Sequence, residues 1–367
     1  MDAVGADFEG KRVFVTGHTG FKGSWLCEWL LLLGADVYGF SQSPPTTPAL
    51  FDQLGLSRRL HDGRGDVRDA AAVEKAVRDC RPDFVFHLAA QSLVRVSYQQ
   101  PVETMATNIM GTVHLLAALR PLDKPCAVVV VTSDKCYENH DSLHPYAEGD
   151  ALGGHDPYSA SKAGAEVVSA AWRKSFYSSA QILAGTTPPL AIATARAGNV
   201  IGGGDWAVDR IVPDCVRGLR ENQSVKVRHP AAVRPWQHVL EPINGYLALG
   251  AQLRGAVASR SNRLGELCGA FNFGPAAADH RTVRELVEEV IKHWPGRWDD
   301  ASDPKAVHEA KRLSLVTEKA QTLLGWRPRW SFAQAVERTV RWYRAPEGDL
   351  AELTRRQLRD YAAASSR

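Results

Sequence analysis

The stretch TGHTGFKG, residues 16–23, constrains the fold more than any other part of the chain. It joins a short β-rich run, RVFVT, to an apolar run with helical spacing, SWLCEWLLLLG, and it carries Gly17, Gly20 and Gly23 at intervals of three. Glycines at a strand-to-helix turn let the backbone bend sharply and approach a pyrophosphate, whose charge the helix N terminus then meets. The spacing alone is a weak signal. The strand before it, the helix after it and its place at the head of the chain supply the context such a turn requires.

The following 180 residues or so repeat the alternation. ADVYGFS reads as a second strand, AAAVEKAVRDC as an amphipathic helix, and DFVFHLAA as a third strand. A long helix over 101–120, a fourth strand CAVVVVTS, a helix opened by Asp156 and Pro157, and a further strand LAIATARAGNV complete it. The predicted fold is α/β, a doubly wound parallel sheet of Rossmann type with a smaller C-terminal substrate lobe over its carboxyl edge. Beyond Asn199 the pattern gives way to glycines, prolines and tryptophans among short elements. The expected dinucleotide domain is 1–198 with a returning segment at about 238–272; the lobe takes 199–237 and 273–367. Charge is nearly balanced, 44 Lys and Arg against 41 Asp and Glu, with no basic run, so no nucleic-acid partner is expected. No apolar stretch is long enough to cross a bilayer, and the polar N terminus lacks a signal core. Six cysteines without CxxC pairing read as reduced thiols of a cytoplasmic protein, with no metal.

DPYSASK holds Tyr158 and Lys162 four residues apart, on one helix face. An ammonium beside a phenol favours the phenolate, which makes the tyrosine a base. The second strand ends in Gly39, Phe40 and Ser41. That end has neither the acid that would hold the ribose of NAD nor an arginine for the 2′-phosphate of NADP, which leaves the two open.

The glycine spacing with YxxxK resembles the extended branch of the short-chain dehydrogenase/reductase superfamily. HTGFKGSWL, AAQSLVRVSY, TSDKCY, DPYSASK, RAGNVIGGGDWA, DRIVPD and RPWQHVLEP, in that order over almost the whole chain, are similar to the CDP-glucose 4,6-dehydratase family. The resemblance implies NAD, held by Gly17, Thr19, Gly20, Phe21, Lys22 and Gly23 at the glycine turn and by Asp66 and Val67 at the adenine. Leu88, Ala89, Ala90 and Asn108 would complete the pocket, with Tyr158 and Lys162 at the nicotinamide ribose. The implied substrate is CDP-glucose, met by His87, Gln91, Asn199, Arg210, Arg234 and Trp236, the arginines converging on its diphosphate. Trp206 and Trp236 either lie against the base or sugar or fill a small lobe.

The implied reaction gives CDP-4-keto-6-deoxy-D-glucose for deoxysugar pathways such as those of lipopolysaccharide O-antigen. It oxidises C4, eliminates water across C5 and C6, and returns the hydride at C6. By resemblance Tyr158 with Lys162 takes the 4-hydroxyl proton and Thr132 bonds the same oxygen. Asp134 is the acid for the departing 6-hydroxyl and Lys135 the base at C5, where related dTDP-glucose dehydratases carry a glutamate. A lysine base must be neutral; desolvation favours that and Asp134 opposes it, so the sequence leaves the protonation of Lys135 open. A dTDP- or GDP-sugar dehydratase and a 4-epimerase are the alternatives. A homodimer pairing helices 101–120 and 156–176 is implied by analogy.

Overall fold

The structure, a computed structural model, describes residues 6–139, 144–302 and 313–365. Its centre is a seven-stranded sheet: β1 (Arg12–Thr16), β2 (Asp36–Ser41), β3 (His61–Arg64), β4 (Phe84–His87), β5 (Cys126–Val131), β6 (Leu190–Ala197) and β7 (Ala270–Phe273). All are parallel, in the order β3-β2-β1-β4-β5-β6-β7. The doubly wound sheet expected from the sequence is therefore present. One strand was not expected: HDGR forms β3, so DFVFHLAA supplies the fourth strand and not the third. HDGR lies on the sheet edge, with no fully buried residue, and so lacks an apolar pattern.

β5 is buried at every position, as a central parallel strand covered on both faces must be. The covering helices are α1 (Phe21–Leu32), α2 (Ala70–Cys80), α3 (Gly111–Ala118), α4 (Pro157–Ser175), α5 (Leu240–Ser259) and α6 (Leu350–Ala363). α2, α3 and α4 pack side by side, while α5 lies along β5 and β6 and meets α1. α1 and α6 are also joined by charge. Glu28 of α1, fully buried, receives Arg59 at 2.5 and 3.0 Å and Arg355 of α6 at 2.9 Å. A buried carboxylate persists only when paired in this way.

The register sets the site. Thr16 pairs with His87, His87 with Val130, and Val130 with Thr194. The carboxyl ends of β1, β4, β5 and β6 thus lie level, and their following loops emerge together. The chain crosses from one side of β1 to the other after β3, which places the ligand crevice of such sheets between β1 and β4. Short pairs roof this edge. Val200–Ile201 runs beside Gln237–His238, and Val233–Pro235 pairs with His280–Thr282.

Candidate active site

The glycine turn is built for close approach. Gly17 has φ +74°, and a Cβ there would sit 2.7 Å from the Ala89 nitrogen. A Cβ on Gly23 would sit 2.1 Å from the Gly17 carbonyl oxygen. No side chain caps α1 at Gly20, so the helix N terminus is left to an anion. Leu88, Ala89 and Ala90 run past Gly17 half-buried. Phe21 opens α1, and Thr19 is buried, its hydroxyl sharing a bond with Ser41 at 2.7 Å. These residues form a backbone-lined cradle fitting a dinucleotide pyrophosphate.

Farther along the crevice, Asp66 accepts from Gln42 at 2.7 Å and from Arg68 at 2.6 and 2.9 Å, and these bonds hold its carboxyl below the usual range. Val67 is buried against Gly111. An arginine does stand near the end of β2, contrary to the sequence reading. Arg64 comes from the edge strand β3, donating to the Gln42 carbonyl at 3.1 Å and to Asp62 at 2.7 Å. The half-buried Lys22 donates to the Tyr246 hydroxyl at 3.3 Å. Burial and the charges of Arg210 and Lys162 lower its pKa to about 7, against the pull of Asp134.

The acid-base groups cluster where β5 ends and α4 begins. Ser133 caps the turn Asp134–Cys136, its hydroxyl accepting from the Lys135 N–H at 3.2 Å. That hydroxyl also donates to Asp134 Oδ1 at 3.0 Å, and it lies close enough to the Tyr158 phenol to favour the phenolate. Asp134 is 2 % exposed, and its Oδ2 has no partner among the described residues. Burial raises its pKa, and Lys135, Ser133, Arg234 and Lys22 offset only part of that. The carboxyl rests on the backbone of Gly198, where a Cβ would come within 2.8 Å of Oδ2. Burial pushes Tyr158 up to about 12 against the bond from Ser133 and the charge of Arg210. Lys162 donates to the Val131 carbonyl at 3.2 Å, and burial lowers its pKa to about 8. Lys135 is half-buried in the same turn.

Several residues singled out in the sequence have other partners. Thr132 does not share a bond with the phenol; its hydroxyl donates to the buried Glu166 at 2.5 Å. Successive strand side chains face opposite ways, and it is the next residue, Ser133, whose hydroxyl lies on the phenol's side. His87 is 2 % exposed, with its ring nitrogens on Thr16 at 2.7 Å and Thr112 at 3.2 Å. Burial lowers its pKa to about 3, which makes it a neutral core residue and not a substrate ligand. The Gln91 amide is spent on Leu93 of its own loop and on Thr104 of the helix Pro101–Met105. Asn108, buried, clamps the Gln91 backbone to Ser161. Trp236 donates to the Arg281 carbonyl at 3.1 Å and is buried, and Trp206 packs on Trp342 and Tyr343. Both tryptophans fill the lobe. Arg234, buried, lies within electrostatic reach of Asp134, and Arg210, paired with Asp205 at 2.8 Å, within reach of Tyr158. Asn199 is half-buried in the loop after β6. The sequence reading missed Ser133, Gly198, Arg196 and Glu166. Only Glu166 carried a signal, standing a further four residues beyond Lys162 on the same face of α4.

Comparison with known proteins shows the family and the fold. The family model for GDP-mannose 4,6 dehydratase matches residues 14–339. A CDP-glucose 4,6-dehydratase of Salmonella typhimurium is 43% identical over 366 residues, 98% of each chain. A dTDP-glucose 4,6-dehydratase of Actinoplanes is 29% identical, covering 91% of this chain and 98% of its own. Among solved structures, a dTDP-glucose 4,6-dehydratase of Streptomyces venezuelae with NAD bound superposes with a TM-score of 0.75 at 26% identity, covering 93% of this chain and 99% of that one.

Proposed function

The chain belongs to the GDP-mannose 4,6 dehydratase family, and from that membership we propose that it is a CDP-glucose 4,6-dehydratase. It converts CDP-D-glucose to CDP-4-keto-6-deoxy-D-glucose and water with NAD as cofactor. The observation that carries the reading is Asp134: a buried carboxyl with a raised pKa and an unengaged oxygen, three residues past β5, bonded to Ser133 and within electrostatic reach of Tyr158. An enzyme that only oxidised and reduced C4 would have no work for it.

NAD, held along the cradle of Gly17, Gly20 and Gly23, supplies the acceptor for the C4 hydride and its donor for C6. The chain's own residues move the protons. Tyr158, assisted by the Lys162 ammonium, removes the proton of the 4-hydroxyl while Ser133 hydrogen-bonds that oxygen. A 4-ketone acidifies the C5 proton, which Lys135 takes. Asp134, whose burial favours the protonated form, donates to the departing 6-hydroxyl; two opposite tasks at adjacent carbons need two groups. Arg210 and Arg234 meet the diphosphate, and Asn199 lies over the sugar.

The test is a panel of CDP-, dTDP-, GDP- and UDP-glucose, each carrying deuterium at C4. The expected result is a 4-keto-6-deoxy product from the CDP-sugar with the deuterium at C6. Deuterium lost to solvent, or a 4-epimer as product, would sink the reading.

We also propose a homodimer. Tyr98, Val102, Met110 and Val167 are 41%, 74%, 45% and 57% exposed, and the helical segments that carry them pack together ahead of α3 and along α4. So apolar an exposed face on adjacent helices suits a second copy of the chain. Val102→Glu is expected to shift the sedimenting species from dimer to monomer; an unchanged dimer would remove this face from the interface. The free thiols of all six cysteines suit a reducing cytoplasm.

A further inference from the structure

We propose that Glu166 is a positioning residue of this active site, the anchor that fixes Ser133 and Asp134 against Tyr158 by holding Thr132. The inference deepens the dehydratase reading and rests on it for its kinetic assay. Tyr158, Lys162 and Glu166 follow one another at intervals of four along α4 and so share one face. The Glu166 carboxylate is 2% exposed, yet both oxygens are engaged. Oε1 accepts from Thr132 at 2.5 Å; Oε2 accepts from Thr194 at 2.8 Å and from Arg196 at 2.9 Å. One side chain therefore ties the helix bearing the phenol and the ammonium to the ends of β5 and β6.

Thr132 is the residue immediately before Ser133 and Asp134. Its N–H bonds the Ala195 carbonyl at 2.9 Å, so backbone and side chain are both held. The tie continues outward. Arg196 donates to the Tyr137 hydroxyl at 2.9 Å, and that hydroxyl donates to Asn272 of β7 at 2.7 Å. A buried network satisfied in this way has one arrangement, and loosening one member leaves the others with uncompensated polar atoms.

Charge adds a second effect. Burial opposes ionisation of Glu166, but Arg196, Thr132 and Thr194 outweigh it and hold its pKa below the usual range. The titratable groups around it are Arg196 from β6, the neutral thiol of Cys136 from the turn after β5, and Lys162 and Arg173 on its own helix. Lys162 in turn faces Cys136, Lys22 of α1 and His87 of β4. Glu166 is the carboxylate in this set and raises the pKa of Lys162 against burial. Removing its charge lowers the pH at which Lys162 stops being an ammonium.

The test follows the oxidation of C4 against pH in the wild type, Glu166→Gln, Thr132→Val and Thr132→Ser. In Glu166→Gln the alkaline limb is expected to move down by about one pH unit, the scale of losing one nearby charge. The rate at the optimum should fall about tenfold to a hundredfold, as small misplacements do. Thr132→Val should lose rate without moving the limb, and Thr132→Ser should recover it. An unmoved limb in Glu166→Gln, or a wild-type rate in Thr132→Val, overturns the proposal. A double-mutant cycle of Thr132→Val and Glu166→Gln on unfolding decides the anchor whatever the substrate. Coupling of about fivefold or more in the equilibrium constant supports it, and additive effects overturn it. A wild type inert toward CDP-glucose would fail the dehydratase reading and leave this cycle standing.

Discussion

Asp134→Asn is expected to let C4 oxidation proceed and to stop water loss. The amide keeps the size of the carboxyl over Gly198 and the contact with Ser133, but it has no proton to give the departing hydroxyl. Proton transfer by a placed group contributes about 10²–10⁴-fold to rate, and production of the 4-keto-6-deoxy sugar should fall by that range. Because the Tyr158 and Lys162 pair is untouched, mixing with substrate should build up reduced-nicotinamide absorbance that no longer decays within a normal turnover. Undiminished product formation would remove Asp134 from the chemistry. The expectation follows from burial. In water a carboxyl would be ionised at neutral pH and useless as an acid, whereas at 2% exposure the neutral form is favoured.

Tyr158→Phe should act earlier and more completely. Without the phenol oxygen nothing takes the 4-hydroxyl proton, so neither reduced nicotinamide nor product should appear, at a loss of about 10³–10⁴-fold. Lys162 keeps its bond to the Val131 carbonyl and the glycine turn is unaltered, so NAD affinity should stay within a few-fold by calorimetry. The phenol in its own protein surroundings sits near 12, too high for a base at neutral pH. Arg210 already draws it down within that value; a nicotinamide ring bound beside it would add the further positive charge that brings the phenolate within reach. Rapid formation of reduced nicotinamide in Tyr158→Phe would contradict its role as base.

The fold was legible where chemistry and pattern coincide. The glycine turn needs a strand before it and a helix after it, and four valines need cover on both faces. HDGR was not legible, because an edge strand buries too little to mark its sequence. In the candidate site, YxxxK could be read since helix geometry fixes which side chains meet. A strand end is harder: the choice between Thr132 and Ser133 turns on a single step of alternation, which the sequence does not date to a face. His87, Gln91 and Asn108 carry suitable atoms, but their bonding capacity is consumed by neighbours up to 71 residues away, His87 by Thr16. Composition at a position does not say whether a polar group is free.

Gly198 draws a different lesson. It has no functional group, yet its missing methyl makes the space in which the Asp134 oxygen lies. Loss of water therefore depends on this glycine as directly as on the acid itself. A lineage that gained one carbon here could retire the elimination while every proton-moving residue stayed in its sequence, leaving an oxidoreductase of sugars that looks, residue for residue, like a dehydratase.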